Sequence, residues 1–109
     1  AKAIEDNVDA SNEDVYGALA EKYLKIGCSC MSPNNNRFEL LDRSIDDYKV
    51  DGVVDVLLQA CHTYAIEAYS VKHFVNDKKN IPYISIETDY STSDIGQLNT
   101  RLSAFVEML

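Results

Sequence analysis

Cys61 is the residue whose type and setting point most directly to chemistry. It closes a nearly continuous apolar run, Val53, Val54, Val56, Leu57 and Leu58, which fits a strand covered on both faces, as in a parallel sheet. His62 and Thr63 follow and lead into a helix expected to start near Tyr64. A cysteine at a strand's carboxyl end and just before a helix stands on the rim where open α/β sheets bind ligands. Helix amides and the helix dipole favour an anion there, and a thiolate is one. The opposing reading is a small hydrophobe that closes the strand, because cysteine is commonly buried and inert. Position alone leaves both open.

Other reactive types are weaker. Cys28 and Cys30 form a C-x-C, and on a strand residues two apart share a face. Zinc sites and redox pairs usually show C-x-x-C, so a packed strand is the competing reading. His62 adjoins Cys61, but adjacent side chains diverge and imply no Cys-His pair. His73 lies within a helix and reads as a surface residue. Glu87 and Asp89 could serve as acid and base, or simply as solvated loop carboxylates. There is no Gly-rich phosphate loop, no G-x-S-x-G and no histidine pair at metal spacing.

The elements that must position these residues follow from periodicity. Val15, Leu19, Tyr23 and Ile26 predict a helix over 14–26. Residues 26–31, IGCSCM, read as a first strand, and 32–36 as a loop by their turn chemistry. Asn36 with Glu39 resembles a capping box ahead of a helix carrying Phe38, Leu41, Ile45 and Tyr48. The central strand spans 53–58, and the helix after it shows Ile66, Ser70 and Phe74 at helical spacing, flanked by Val71 and Val75. A polar connection over 76–80 leads to a third strand over 81–86, with Pro82 at its start. Asp94 with Gln97 caps a last helix that buries Ile95, Leu98, Leu102, Phe105 and Val106. The expected fold is α/β: a small parallel sheet of three strands, or slightly more, flanked by helices. All three strand-to-helix loops then open on one rim and gather the three cysteines there. Residues 1–13 read as an acidic arm or the tail of a preceding element, and 14–109 as one α/β domain.

At 109 residues with 46% hydrophobic content, the chain can fill one core. A net charge of −8 argues against a nucleic-acid surface. No run nears the ~18 apolar residues of a membrane span. The acidic start shows no signal peptide, and its first residue, Ala rather than Met, suggests a processed chain or a fragment. Three cysteines without framework spacing fit a reducing cytoplasm.

LLQACHTYAIEAYSVKHFV followed by NIPYISIETDYSTSDIGQLNTRLSAFVEML resembles the carboxyl-terminal end of the (R)-2-hydroxyacyl-CoA dehydratases, which include 2-hydroxyglutaryl-CoA dehydratase and are related to benzoyl-CoA reductase. The resemblance covers residues 16–109, and the QACHTY form looks more like the beta-type than the alpha-type subunit. It implies Rossmann-like domains and a [4Fe-4S] cluster held by three cysteines. The last of these matches Cys61; the other two lie upstream of this chain, and Cys28 and Cys30 do not match them. It further implies an ATP-dependent activator protein that supplies an electron, radical dehydration of a 2-hydroxyacyl-CoA to an enoyl-CoA, and an anaerobic cytoplasm. One cysteine cannot hold four irons. The resemblance therefore makes this chain the carboxyl-terminal part of a larger iron-sulfur lyase subunit. It would work with its own upstream part, an alpha-type subunit, the activator and an acyl-CoA substrate. The alternatives are a metal-free binding or subunit-contact module of the same fold, and a thiol enzyme using Cys61 as nucleophile.

Overall fold

Four α-helices and two parallel strands make up the fold in the computed structural model, which describes residues 7–11 and 13–109. The chain divides into two compact units after Arg43. The arm expected over 1–13 falls partly on residues 1–6 and 12, which lie outside the described residues.

In the first unit, α1 spans Val15–Leu24. Asp14 caps it, its carboxylate accepting from the Gly17 amide at 2.9 Å. Ala18 is buried, while Val15, Leu19 and Tyr23 of the expected stripe are exposed.

No strand forms over 26–31, contrary to the sequence reading. The backbone folds into consecutive turns instead. Cys28 N donates to Ile26 O at 2.8 Å, and Met31 N donates to Cys28 O at 2.9 Å. Asn34, 8% exposed, donates from its side chain to Cys28 O at 3.1 Å. These local bonds satisfy groups that a strand ladder would need. Gly27 fits this turn because a Cβ there would stand 2.7 Å from the Arg37 backbone nitrogen.

The second helix, α2, spans Asn35–Tyr48 and crosses the division between the units. Asn36 lies inside it rather than capping it, and its amide donates to Lys25 O at 3.3 Å. Ile45 is buried and Tyr48 exposed.

The second unit, Ser44–Leu109, holds the sheet. Strands β1 (Val53–Leu58) and β2 (Tyr83–Thr88) pair in parallel, from Val53 opposite Tyr83 to Leu58 opposite Thr88. Among the described residues the sheet has two strands, not three. Helix α3, His62–His73, joins them in the expected βαβ order. The Tyr83 hydroxyl donates to Asp55 at 2.9 Å and stands 3.3 Å from the Ala68 carbonyl, which fixes α3 against one sheet face.

Coverage of both faces of β1 is also corrected. Val54, Val56 and Leu58 share one face by the period of two, and they are 42%, 60% and 44% exposed. A continuous apolar run signals two-sided burial only where helices cover both faces of the strand.

Past His73 the helix widens into a π-helical turn, Phe74–Lys79, which ends at left-handed Asn80. This replaces the polar connection read from the sequence. Lys79 bonds Asp46 of α2 at 2.8 Å. Ala68, Val71 and Val75 form the buried face, whereas Ile66 is exposed. The last helix, α4, spans Ile95–Val106. It buries Phe105; Leu98 and Leu102 are half-buried, and Ile95 and Val106 are exposed. Arg101 on α4 donates to Ser85 O of β2 at 2.7 Å. The core of this unit is Ile45, Leu57, Ala68, Val71, Val75, Ile86 and Phe105. Among the described residues no helix is long and apolar enough to cross a membrane.

Candidate functional site at the carboxyl ends of the strands

Cys61 occupies the position read from the sequence: three residues past the end of β1 and directly before α3, as its N-cap. The link is short. Ala60 takes a left-handed conformation, with φ of 64°. Cys61 N donates to Leu58 O at 3.0 Å, closing a tight turn. Ala65 N then donates to Cys61 O at 3.0 Å and starts the helix. The helix thus begins two residues earlier than expected, at His62. The Cys61 side chain is half-buried, and its Sγ lies 3.8 Å from Thr63 Oγ1. It is neither a deeply buried hydrophobe nor a fully exposed thiol.

Beside it, the ends of both strands and the start of α4 enclose a cleft of about 410 Å³. β1 contributes Gln59 just past its end, β2 contributes Glu87 and Thr88, with Asp89 following, and Asp94 and Gln97 come from the start of α4. Gln59 N donates to Thr88 O at 2.8 Å and holds the two strand ends together. The Thr88 hydroxyl donates to Asp94 Oδ2 at 2.7 Å. Asp94 is the N-cap residue of α4, yet its side chain makes no capping bond. Its second oxygen, Oδ1, is buried without a hydrogen-bond partner. The capping role read for Asp94 with Gln97 is therefore replaced by a bond back to the strand. Asp89 accepts from the Ser91 amide at 2.6 Å. Hydrogen bonds from the Ser91 side chain and amide hold the Asp89 carboxyl below the usual aspartate value of 3.8. That carboxylate is a fixed anion rather than a group poised to exchange protons near neutrality. Three carboxylates, two amides and the hydroxyls of Thr88 and Ser93 make the cleft an acceptor-rich pocket that repels anions.

Cys61 lies outside the lining of this cleft. The structure thus brings Glu87 and Asp89 together, as the sequence suggested, and leaves Cys61 at the neighbouring turn. Sequence reasoning placed the loops holding Gln59 and Thr88 on this rim and read Gln97 as a capping residue, but gave none of the three a part in a site. Their signal was topological: each sits at a strand end or a helix start facing one rim. Cys28 and Cys30 sit in a turn of the first unit. With no strand ahead of them, the topological reason for that loop to share the rim disappears. His73 is a surface residue as read, and its Nδ1 lies 2.9 Å from Asp77. Among the described residues, no three His, Cys, Asp or Glu side chains converge to hold a metal ion.

Comparison with known families decides the grouping. The model of 2-hydroxyglutaryl-CoA dehydratase, D-component, matches residues 1–109. The chain belongs to this family. Within the 2-hydroxyglutaryl-CoA dehydratase D-component family, it is 62% identical over 109 residues to "Putative dehydratase subunit YjiM" of Escherichia coli K12. That alignment covers 100% of this chain and 28% of the relative. It is 29% identical over 105 residues to lactoyl-CoA dehydratase subunit alpha of Anaerotignum propionicum, covering 93% of this chain and 24% of that subunit. The chain thus spans about a quarter of the length of these curated relatives.

Proposed function

We propose that this chain is the carboxyl-terminal part of a dehydratase subunit acting on a (R)-2-hydroxyacyl-CoA, and that Cys61 gives one thiolate to a [4Fe-4S] cluster of that subunit. The observation that carries the reading is the setting of Cys61: a half-buried sulfur at the N-cap of α3, beyond the end of a parallel strand, in a chain of this family. Cluster ligation needs a deprotonated sulfur at a site of restricted solvent access, and the positive end of a helix dipole favours such a ligand. The Thr63 hydroxyl, 3.8 Å from the sulfur, is placed to hydrogen-bond a thiolate there.

The donor set fits one corner of a cluster and no more. The remaining ligands would come from the rest of the longer subunit, as the quarter-length coverage of the relatives allows. When bound, the cluster supplies one-electron chemistry for expelling the substrate hydroxyl. This chain's own share is to present the sulfur rigidly, through the Leu58–Cys61 turn and the Cys61–Ala65 helix bond. An alpha-type partner subunit and an ATP-dependent activator complete the proposed assembly. The acceptor-rich cleft does not favour the anionic diphosphate of CoA, so any CoA contact lies elsewhere in the assembly.

The test is anaerobic purification of the complete subunit with Cys61→Ala and Cys61→Ser, scoring iron, sulfide and visible absorption. Loss of most iron with an unchanged circular dichroism spectrum is expected for both variants. Iron content equal to the parent's in both would overturn the ligand assignment and leave the metal-free module as the reading.

A further inference from the structure

Strand β1 carries apolar side chains on both faces, yet only one face is covered. The Tyr83 hydroxyl ties α3 to the face of Val53, Asp55 and Leu57, and Leu57 is buried there. Val54, Val56 and Leu58 hold the other face and stay exposed. Beside them on β2, Ile86 is buried, so cover on that face stops between the two strands. The backbone repeats the asymmetry. Val53 N donates to Pro82 O and Gln59 N to Thr88 O, so the odd-numbered residues of β1 turn toward β2. Val54 and Val56 turn their N–H and C=O to the other edge, where no strand lies among the described residues. Solvent edges are commonly guarded by lysine, proline, a bulge or a charge. The run VVDVLL has no lysine or proline, its register is unbroken, and its one charge, Asp55, is engaged by the Tyr83 hydroxyl.

We propose that this edge, with the strip of Val54, Val56 and Leu58, receives a third parallel strand from the part of the subunit that precedes this chain. The added strand carries apolar side chains at the alternate positions that meet the strip. The inference rests on the carboxyl-terminal placement proposed above, and not on the cluster. This chain covers 28% and 24% of its relatives, so most of the subunit is available to supply the strand. The direction follows from β1 itself, because apolar side chains on both faces mark an interior strand of a parallel sheet. A second copy on a twofold axis would lay β1 against β1 in the antiparallel sense instead. A strand of the same polypeptide also competes at a higher effective concentration. Leu58 O is already taken by Cys61 N, so the new ladder stops there. The loop after the added strand then opens on the rim that holds Cys61.

The experiment reads amide hydrogen exchange residue by residue, by fragmentation mass spectrometry, in this chain and in the complete subunit. The Asp55 and Leu57 amides face β2 and serve as the internal standard. In this chain, the Val54 and Val56 amides exchange at least about tenfold faster than those two. In the complete subunit all four are comparably slow. Val56→Asp, on the exposed strip, keeps the circular dichroism of this chain and restores fast exchange at Val54 in the complete subunit. The proposal is overturned if Val54 and Val56 stay fast in the complete subunit, or if the aspartate leaves Val54 slow there. It is also overturned if they slow only where that subunit dimerises, which marks a second copy, or only once an alpha-type subunit is added, which marks another chain. Iron content of the Cys61 variants is a separate readout. Iron loss with fast Val54 and Val56 amides removes the strand and keeps the cluster, and retained iron with slow amides does the reverse.

Discussion

Asp89 and Asp94 show how a single side chain sets the character of the cleft. Asp94 turns one oxygen back to Thr88 and leaves the other buried in the wall, so it serves the strand rather than its helix. Asp89 is held below the ordinary aspartate value by Ser91. The sign follows from that depression. The Ser91 bonds contribute fully above the unfolded value of 3.8, and the contribution is lost as pH falls through the lower folded value. A carbon-detected NMR titration should place the Asp89 midpoint below 3.8, and Ser91→Ala should move it back toward 3.8. An unmoved midpoint in that variant would show that another group holds the carboxylate. At this scale the sequence was partly legible. Cys61, Glu87 and Asp89 could be named because strand ends and turn residues mark a rim. The Thr88 to Asp94 bond could not, because the D-x-x-Q spacing points equally well to a helix cap.

The elements were legible where the period was strong and illegible where turn chemistry competed with it. β1, α3, β2 and α4 emerged near their expected bounds. The strand read over 26–31 failed because Gly27 and Asn34 let the backbone satisfy itself locally. Gly27→Ala tests this account. Its Cβ would press on the Arg37 backbone at 2.7 Å, so the variant should lose about 1–3 kcal/mol in urea unfolding. An effect near zero would mean the turn tolerates a wider path. The α3 stripe was partly misassigned: Ile66 faces solvent, while Ala68 and the flanking Val71 and Val75 face the core, since apolar residues at nearby angles offer two faces. Val75, 0% exposed, should cost about 2 kcal/mol when cut to alanine, whereas Ile66→Ala should cost little. Reversal of that order in denaturant melts would contradict the burial.

At the level of the molecule, a two-stranded sheet cannot bury all the apolar surface its strands carry. Val54, Val56 and Leu58 leave a hydrophobic strip open on β1. The protein should bind the dye ANS, and Val54→Thr with Val56→Thr should lower the fluorescence by about half or more without loss of helix signal. Unchanged dye binding would place the apolar surface elsewhere. The hydrogen bond from Arg101 to Ser85 adds a direction to this. Pro82 O and Thr88 O accept from β1, so the Ser85 carbonyl, out of step with them, points to the opposite flank. There a guanidinium already occupies the acceptor that an incoming backbone would seek. A strand laid past β2 would have to share or displace that cation at Ser85 O, a hindrance placed on that flank of the pleat.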